Sequence, residues 1–186
     1  MSGGRVAFLL RGINVGGHRR VPMAELRAVA ESIGLEESRT YVASGNLLAT
    51  CAIDVQIAGS LLAEALAERF GFDVDVVARD ADAWSRYASD APFPDVDAPN
   101  RVLLYLPRDP APEGVADALA ARLAPVERAA PTADGVWVFH ADGAGRSKLT
   151  PRAIDDAFGS PTTGRNQRTV ARIADLLGLE VPAVRP

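Results

Sequence analysis

Three stretches of the chain concentrate residues able to hold an anion or move a proton. The first, Arg11-Gly12-Ile13-Asn14-Val15-Gly16-Gly17-His18-Arg19-Arg20, joins an apolar segment to a helix that opens at Pro22. Glycines there expose backbone N–H groups and the helix start adds positive potential. Arg11, His18, Arg19 and Arg20 supply charge, so a phosphate or carboxylate is the expected guest. The spacing matches neither G-x-x-x-x-G-K-S/T nor G-x-G-x-x-G, which excludes a standard nucleotide fingerprint. The competing structural account is a strand-to-helix connection whose glycines serve positive φ and whose arginines are solvated.

The second stretch is Gly143-Ala144-Gly145-Arg146-Ser147-Lys148-Leu149-Thr150, which presents a guanidinium, a hydroxyl and an ammonium just before a helix. It is expected to grip a phosphate or carboxylate through Arg146, Ser147 and Lys148. Adjacent side chains diverge on an extended backbone, which argues against Ser147 and Lys148 as a nucleophile pair. The third, Thr162-Thr163-Gly164-Arg165-Asn166-Gln167-Arg168-Thr169, reads as a polar loop entering the last helix. Asn166 and the threonines suit capping. Arg165 and Arg168 oppose the positive end of a helix dipole, so an acidic partner, protein or ligand, is expected near them.

Other chemistry is sparse. His18 and His140 lie far apart, and Cys51 is the single cysteine, so no metal-ligand spacing and no internal disulfide is available. A free cysteine and the absence of a signal or membrane-length apolar run lead to the expectation of a cytoplasmic protein that meets no membrane. The formal net charge is −4 and the pI near 5.2, which argues against duplex nucleic acid as partner. Of the 20 basic residues only Lys148 is a lysine, so an arginine in this chain carries little information by itself. No acid–base pair or nucleophile triad is legible, no cofactor is specified and the oligomeric state is open. If a reaction occurs, His18 is the expected proton carrier and Lys148 or Arg165 the electrostatic stabiliser.

The elements that must position these residues follow from periodicity. Val6 to Leu10 is a buried central strand, and Met23, Leu26, Ala30 and Ile33 recur at helical spacing. Ser44-Gly45-Asn46 makes a tight hairpin between strands at 39–43 and 47–50. Asp54 caps a helix carrying Ala58, Leu61, Leu62, Ala65 and Leu66, and Asp73 to Arg79 alternates as a half-buried strand. The order βαββαβ is a ferredoxin-like unit. After a proline-rich linker at 91–100 the pattern restarts: a strand at 102–106, a helix through Val115, Leu119 and Leu123, and two strands joined at Asp134-Gly135. A helix opening at Thr150-Pro151 follows. A last helix stands where a final strand belongs, so the second copy is expected to be incomplete. The expectation is an α+β protein of two ferredoxin-like subdomains, 1–90 and 101–186, the second ending in a C-terminal helix.

The segments Leu9 to Gly17, Val21 to Arg27 and Ser44-Gly45-Asn46 resemble the bacterial family called domain of unknown function 1697. The likeness continues through Arg79, Pro92-Phe93-Pro94, Gly145 to Leu149, Arg165-Asn166 and Thr169-Val170. Gln167 stands where the family has tryptophan, and Asp90-Ala91 where an asparagine precedes Pro-Phe-Pro. The resemblance implies two ferredoxin-like subdomains and no particular activity, substrate or cofactor. The function expected from the residues is binding of a phosphate- or carboxylate-bearing small molecule. Arg11, Gly12, Asn14, Gly16, Gly17, His18, Arg146, Ser147, Lys148, Arg165 and Asn166 would form the site. The alternatives are single-stranded nucleic-acid binding across a sheet face and a regulatory protein-interaction module.

Overall fold

The computed structural model describes residues 3–90 and 92–180. Residues 1–2, 91 and 181–186, which include the head of the expected linker and the outer ends of the expected subdomains, lie outside the described residues. The chain divides into two compact units, residues 1–85 with 173–180 and residues 86–172 with 181–186.

In the first unit an unbroken apolar run makes the central strand β1 (Gly4–Leu10), with Val6 to Leu10 all buried. It is followed by α1 (Met23–Ser32), β2 (Glu36–Tyr41), β3 (Asn46–Cys51), α2 (Val55–Phe70) and β4 (Val76–Asp80). The strands pair antiparallel in the order β2-β3-β1-β4. Asp54 caps α2 by accepting from the Gln56 and Ile57 N–H groups at 2.9 and 3.1 Å. Leu26 and Ala30 of α1 and Ala58, Leu62 and Leu66 of α2 pack against Val6, Phe8, Leu10, Leu47, Val76 and Ala78 on one sheet face. Ala7, Leu9, Leu48, Val77 and Arg79 on the opposite face are buried too. β4 is therefore not half-buried as its alternation suggested, because a single-sided pattern does not reveal burial of the second face.

The second unit repeats the succession: β5 (Val102–Pro107), α4 (Val115–Ala120), β6 (Arg128–Pro131), β7 (Val136–Phe139), α5 (Pro151–Phe158) and β8 (Thr162–Asn166). Its sheet runs β6-β7-β5-β8, again antiparallel. Two helices straddle the division of the chain, α3 (Ala81–Ser89) and α6 (Gln167–Leu176). Tyr105, Val136 and Val138 meet Leu119, Leu149, Ile154 and Phe158 in the core of this unit. The expectation of a missing last strand is corrected here: residues 162–166 are a strand, not a loop. Their polar run hid it, since Thr162 and Thr163 are buried without being apolar and Gly164 reads as a turn. Gly164 is instead required opposite Tyr105, where a Cβ would stand 2.8 Å from ring Cε1.

β4 and β8 end alike, Val-Val-Ala-Arg-Asp and Thr-Thr-Gly-Arg-Asn. In each the arginine is buried and its Nη1 donates to the preceding carbonyl at 2.9 Å. The final Asx then caps the next helix, Asp80 accepting from the Ala83 N–H and Asn166 from the Thr169 N–H, both at 2.8 Å. The proline-rich stretch packs within the second unit. Arg128 lies over the Phe93 ring at 4.9 Å and the Phe139 ring at 5.4 Å, and grips both Asp95 oxygens at 3.0 Å. That pairing holds the Asp95 carboxyl below the ordinary aspartate range.

Candidate functional site

Arg11, Gly12, Asn14, Gly16, Gly17 and His18 belong to the first unit, where β1 leaves the sheet. Their loop is a miniature hairpin. The Asn14 N–H donates to the Arg19 carbonyl and the His18 N–H to the Val15 carbonyl, both at 3.1 Å. Gly16 and Gly17 have φ of 59° and 79°, the pair of positive values that a type I′ turn requires. These two glycines thus serve the turn rather than a cradle at the start of α1.

Asn14 locks the hairpin to its surroundings. Its Nδ2 donates to the carbonyls of Val21 and Ala43 at 3.0 and 2.8 Å, and its Oδ1 accepts from the Val21 N–H at 2.9 Å. With its amide engaged by backbone on both atoms, Asn14 positions the loop and is not placed to hold a ligand. Arg11 stands 3.8 Å from the Asp75 carboxylate. Arg19 lies over the Phe72 ring at 5.2 Å and donates to the Asp73 carbonyl. His18 and Arg20 are exposed, and among the described residues neither side chain has a hydrogen-bond or ionic partner. The neighbouring 42–45 connection is longer than the tight turn expected: Tyr41 pairs with Asn46, and Val42 sits at φ 50°. Asn14, Arg19 and Val42 are non-glycine residues held in left-handed backbone, a cost of about 1–2 kcal/mol each that surrounding contacts must offset.

Arg146, Ser147, Lys148, Arg165 and Asn166 belong to the second unit. The loop of residues 143–150 rests on a buried polar chain that the sequence did not disclose. His140 is fully buried and its Nδ1–H donates to the Glu127 carboxylate at 3.1 Å. Its Nε2 meets the Tyr105 hydroxyl at 3.0 Å. Burial alone would raise the Glu127 carboxyl, but the Ala124 N–H, the Ser147 hydroxyl and the His140 ring outweigh it and hold the group below its ordinary value. Burial, then the Glu127 charge, pushes the Tyr105 phenol up. Ser147 is thus a loop anchor, and its oxygen also accepts from the Leu149 N–H at 3.2 Å. Arg146 and Lys148 on either side are exposed, and their side chains have no hydrogen-bond or ionic partner among the described residues. The only sequence signal for this chain was His140 beside a strand end, which resembles any satisfied histidine.

Arg165 and Asn166 are not on a loop. Arg165 is buried on β8 with Nη1 donating to the Thr163 hydroxyl at 2.6 Å, and burial lowers its guanidinium to about 10. It pairs with Leu104, whereas Tyr105 lies on the other sheet face with the His140 chain and Leu149. The sheet therefore stands between the Arg165 side chain and the chain that anchors the 143–150 loop. Asn166 is occupied as the cap of α6. Among the described residues no cluster of three or more His, Cys, Asp or Glu side chains is placed to hold a metal ion. No described helix is long and apolar enough to cross a membrane.

The protein is α+β, with two four-stranded antiparallel sheets, each backed by helices, and an exposed cationic loop in each unit. Residues 4–137 match the family described as protein of unknown function (DUF1697), and the chain belongs to it. No protein of curated function matches the chain. Among solved structures it is similar to a conserved bacterial protein, SP0830 from Streptococcus pneumoniae. The two share 22% identity over 94% of this chain and 98% of that one, with a TM-score of 0.75.

Proposed function

We propose that the first unit binds the phosphate or carboxylate of a small molecule at the exposed hairpin of residues 14–19, with the neighbouring Arg20 as its charged contact and the His18 ring as a hydrogen-bonding contact. One observation carries this reading. A hairpin containing strained backbone is locked by Asn14, while the exposed His18 and Arg20 side chains have no hydrogen-bond or ionic partner among the described residues. Rigid presentation of unpaired positive charge is what an anion site needs, since little ordering is then left for the ligand to impose. The β2-β3-β1-β4 order and its counterpart support taking both units as ferredoxin-like. The single cysteine and the family resemblance support a cytoplasmic bacterial setting.

The test is a thermal-shift titration of the full chain with inorganic phosphate, sugar phosphates, nucleotides and organic acids. At a ligand concentration of about 100 Kd the stabilisation is about 2.7 kcal/mol. The double variant His18→Ala/Arg20→Ala is expected to lose that response, whereas Arg146→Ala/Lys148→Ala retains it. Equal responses in wild type and the His18/Arg20 variant would remove this loop from the site. Single-stranded oligonucleotide at low salt is the control for the nucleic-acid alternative, which predicts binding that falls steeply with added salt.

A further inference from the structure

Two exposed valines of the first unit stand on loops that are fastened to each other. Val15, on the hairpin of residues 14–19, is 68% exposed, and Val42, in the 42–45 connection, is 50% exposed. Asn14 donates from Nδ2 to the Ala43 carbonyl at 2.8 Å, so one hydrogen bond joins the chain neighbours of both valines. The Leu10 N–H donates to the Gly45 carbonyl at 2.8 Å, and a Cβ on Gly45 would approach Ile13 Cδ1 to 2.9 Å. Both loops therefore leave the same end of the sheet, where β1 finishes and β3 begins. Val15 also pairs with His18 across the hairpin, which puts the two side chains on one face of it.

Packing does not account for Val42. A β-branched residue in left-handed backbone, here at φ 50°, is a true outlier, and asparagine or glycine would hold the same turn with less strain. Burial is the usual compensation, yet half of this side chain stays in water. Single exposed valines are ordinary on protein surfaces, and Val126 of the second unit, 62% exposed, is one. Val15 and Val42 differ in flanking the Asn14 tie, next to the exposed His18 and Arg20. Strain kept at an exposed position of this kind is characteristic of ligand contacts.

Resting on the anion site of the same hairpin, we infer that the bound phosphate or carboxylate is carried on an apolar group that covers Val15 and Val42. The ligand class is then an alkyl or aryl phosphate or carboxylate rather than a sugar phosphate. Arg20 and the His18 ring meet the anionic head, and the valines meet the tail. The formal net charge of −4 opposes an anionic membrane as the source of that chemistry.

The experiment is isothermal titration calorimetry of the full chain with two matched pairs, methyl and hexyl phosphate, and acetate and hexanoate. In at least one pair the long member is expected to bind about tenfold more tightly than the short one. The double variant Val15→Ser/Val42→Asn brings the long member down to the affinity of the short one, which is itself unchanged, whereas Val126→Ser preserves the preference. Asparagine tolerates left-handed backbone at position 42, so loss of the fold does not confound the variant. Intermolecular NOEs from the hexyl chain to the Val15 and Val42 methyls locate the contact independently. Equal affinities within both pairs, lost together in His18→Ala/Arg20→Ala, overturn this inference and leave the anion site standing. Binding of none of the four overturns both. A preference retained in the double valine variant overturns it, as does capture by phosphatidylserine vesicles without binding of free hexyl phosphate or hexanoate.

Discussion

Replacing Asn14 isolates how the cationic hairpin is held. Asn14→Ala removes the three side-chain hydrogen bonds to Val21 and Ala43. At about 1 kcal/mol net each, they amount to about 3 kcal/mol. Alanine at φ 56° adds about 1 kcal/mol more, because asparagine tolerates left-handed backbone better. The total of about 4 kcal/mol lowers the melting temperature by about 8–16 °C at this chain length. Asn14→Gly forfeits the same bonds but adopts the backbone freely, so it is expected to be about 1 kcal/mol milder. Urea unfolding followed by circular dichroism gives the free energies, and amide hydrogen exchange reads the clip itself. The Val21 amide, bonded to Oδ1 in the wild type, becomes fast in both variants. A free-energy loss in Asn14→Ala below about 0.5 kcal/mol, or a Val21 amide still protected, would refute the assignment of Asn14 as the lock.

Three further outcomes are expected. Gly45→Ala places a Cβ 2.7 Å from Leu10 Cβ and 2.9 Å from Ile13 Cδ1 at φ 83°, and costs about 3 kcal/mol by chemical denaturation. Gly164→Ala drives a methyl to 2.8 Å from the Tyr105 ring, whose hydroxyl is tied to His140. The cost is about 2 kcal/mol, read by denaturation, with a change in near-ultraviolet dichroism from the displaced ring. Glu127 has its carboxyl depressed in the folded chain, so the unfolded chain takes up the proton first as pH falls. Its contribution is present above its ordinary value of 4.5 and fades as pH drops through the lower folded value. Glu127→Gln is therefore less stable than wild type by about 2 kcal/mol at pH 7, and the gap narrows in melts below pH 4.5. A gap independent of pH would contradict that account.

Elements whose burial is one-sided or uniformly apolar were legible in advance. Val6 to Leu10 announced a central strand, Asp54 and Thr150 announced helix starts, and the first βαββαβ succession followed from period and caps. β8 escaped because its strand character comes from pairing with β5 and from space for the Tyr105 ring, neither of which is a property of residues 162–166 alone. The repeated Arg-Asx ending of β4 and β8 was equally hidden, since one identical residue and an Asp/Asn pair in a run of five do not register as similarity.

The candidate site shows the same division. Residue types and neighbours along the chain dictated where positive charge and turns would fall, and the Gly12–Arg20 and Gly143–Thr150 segments do present exposed cations. Which of those groups are left for a ligand depended on partners distant in sequence. Ala43 engages Asn14, Asp75 approaches Arg11, Glu127 anchors Ser147, and burial on β8 removes Arg165 from solvent. Local propensity acts over a few bonds, whereas a hydrogen bond between residues 29 apart exists only after the backbone between them has folded.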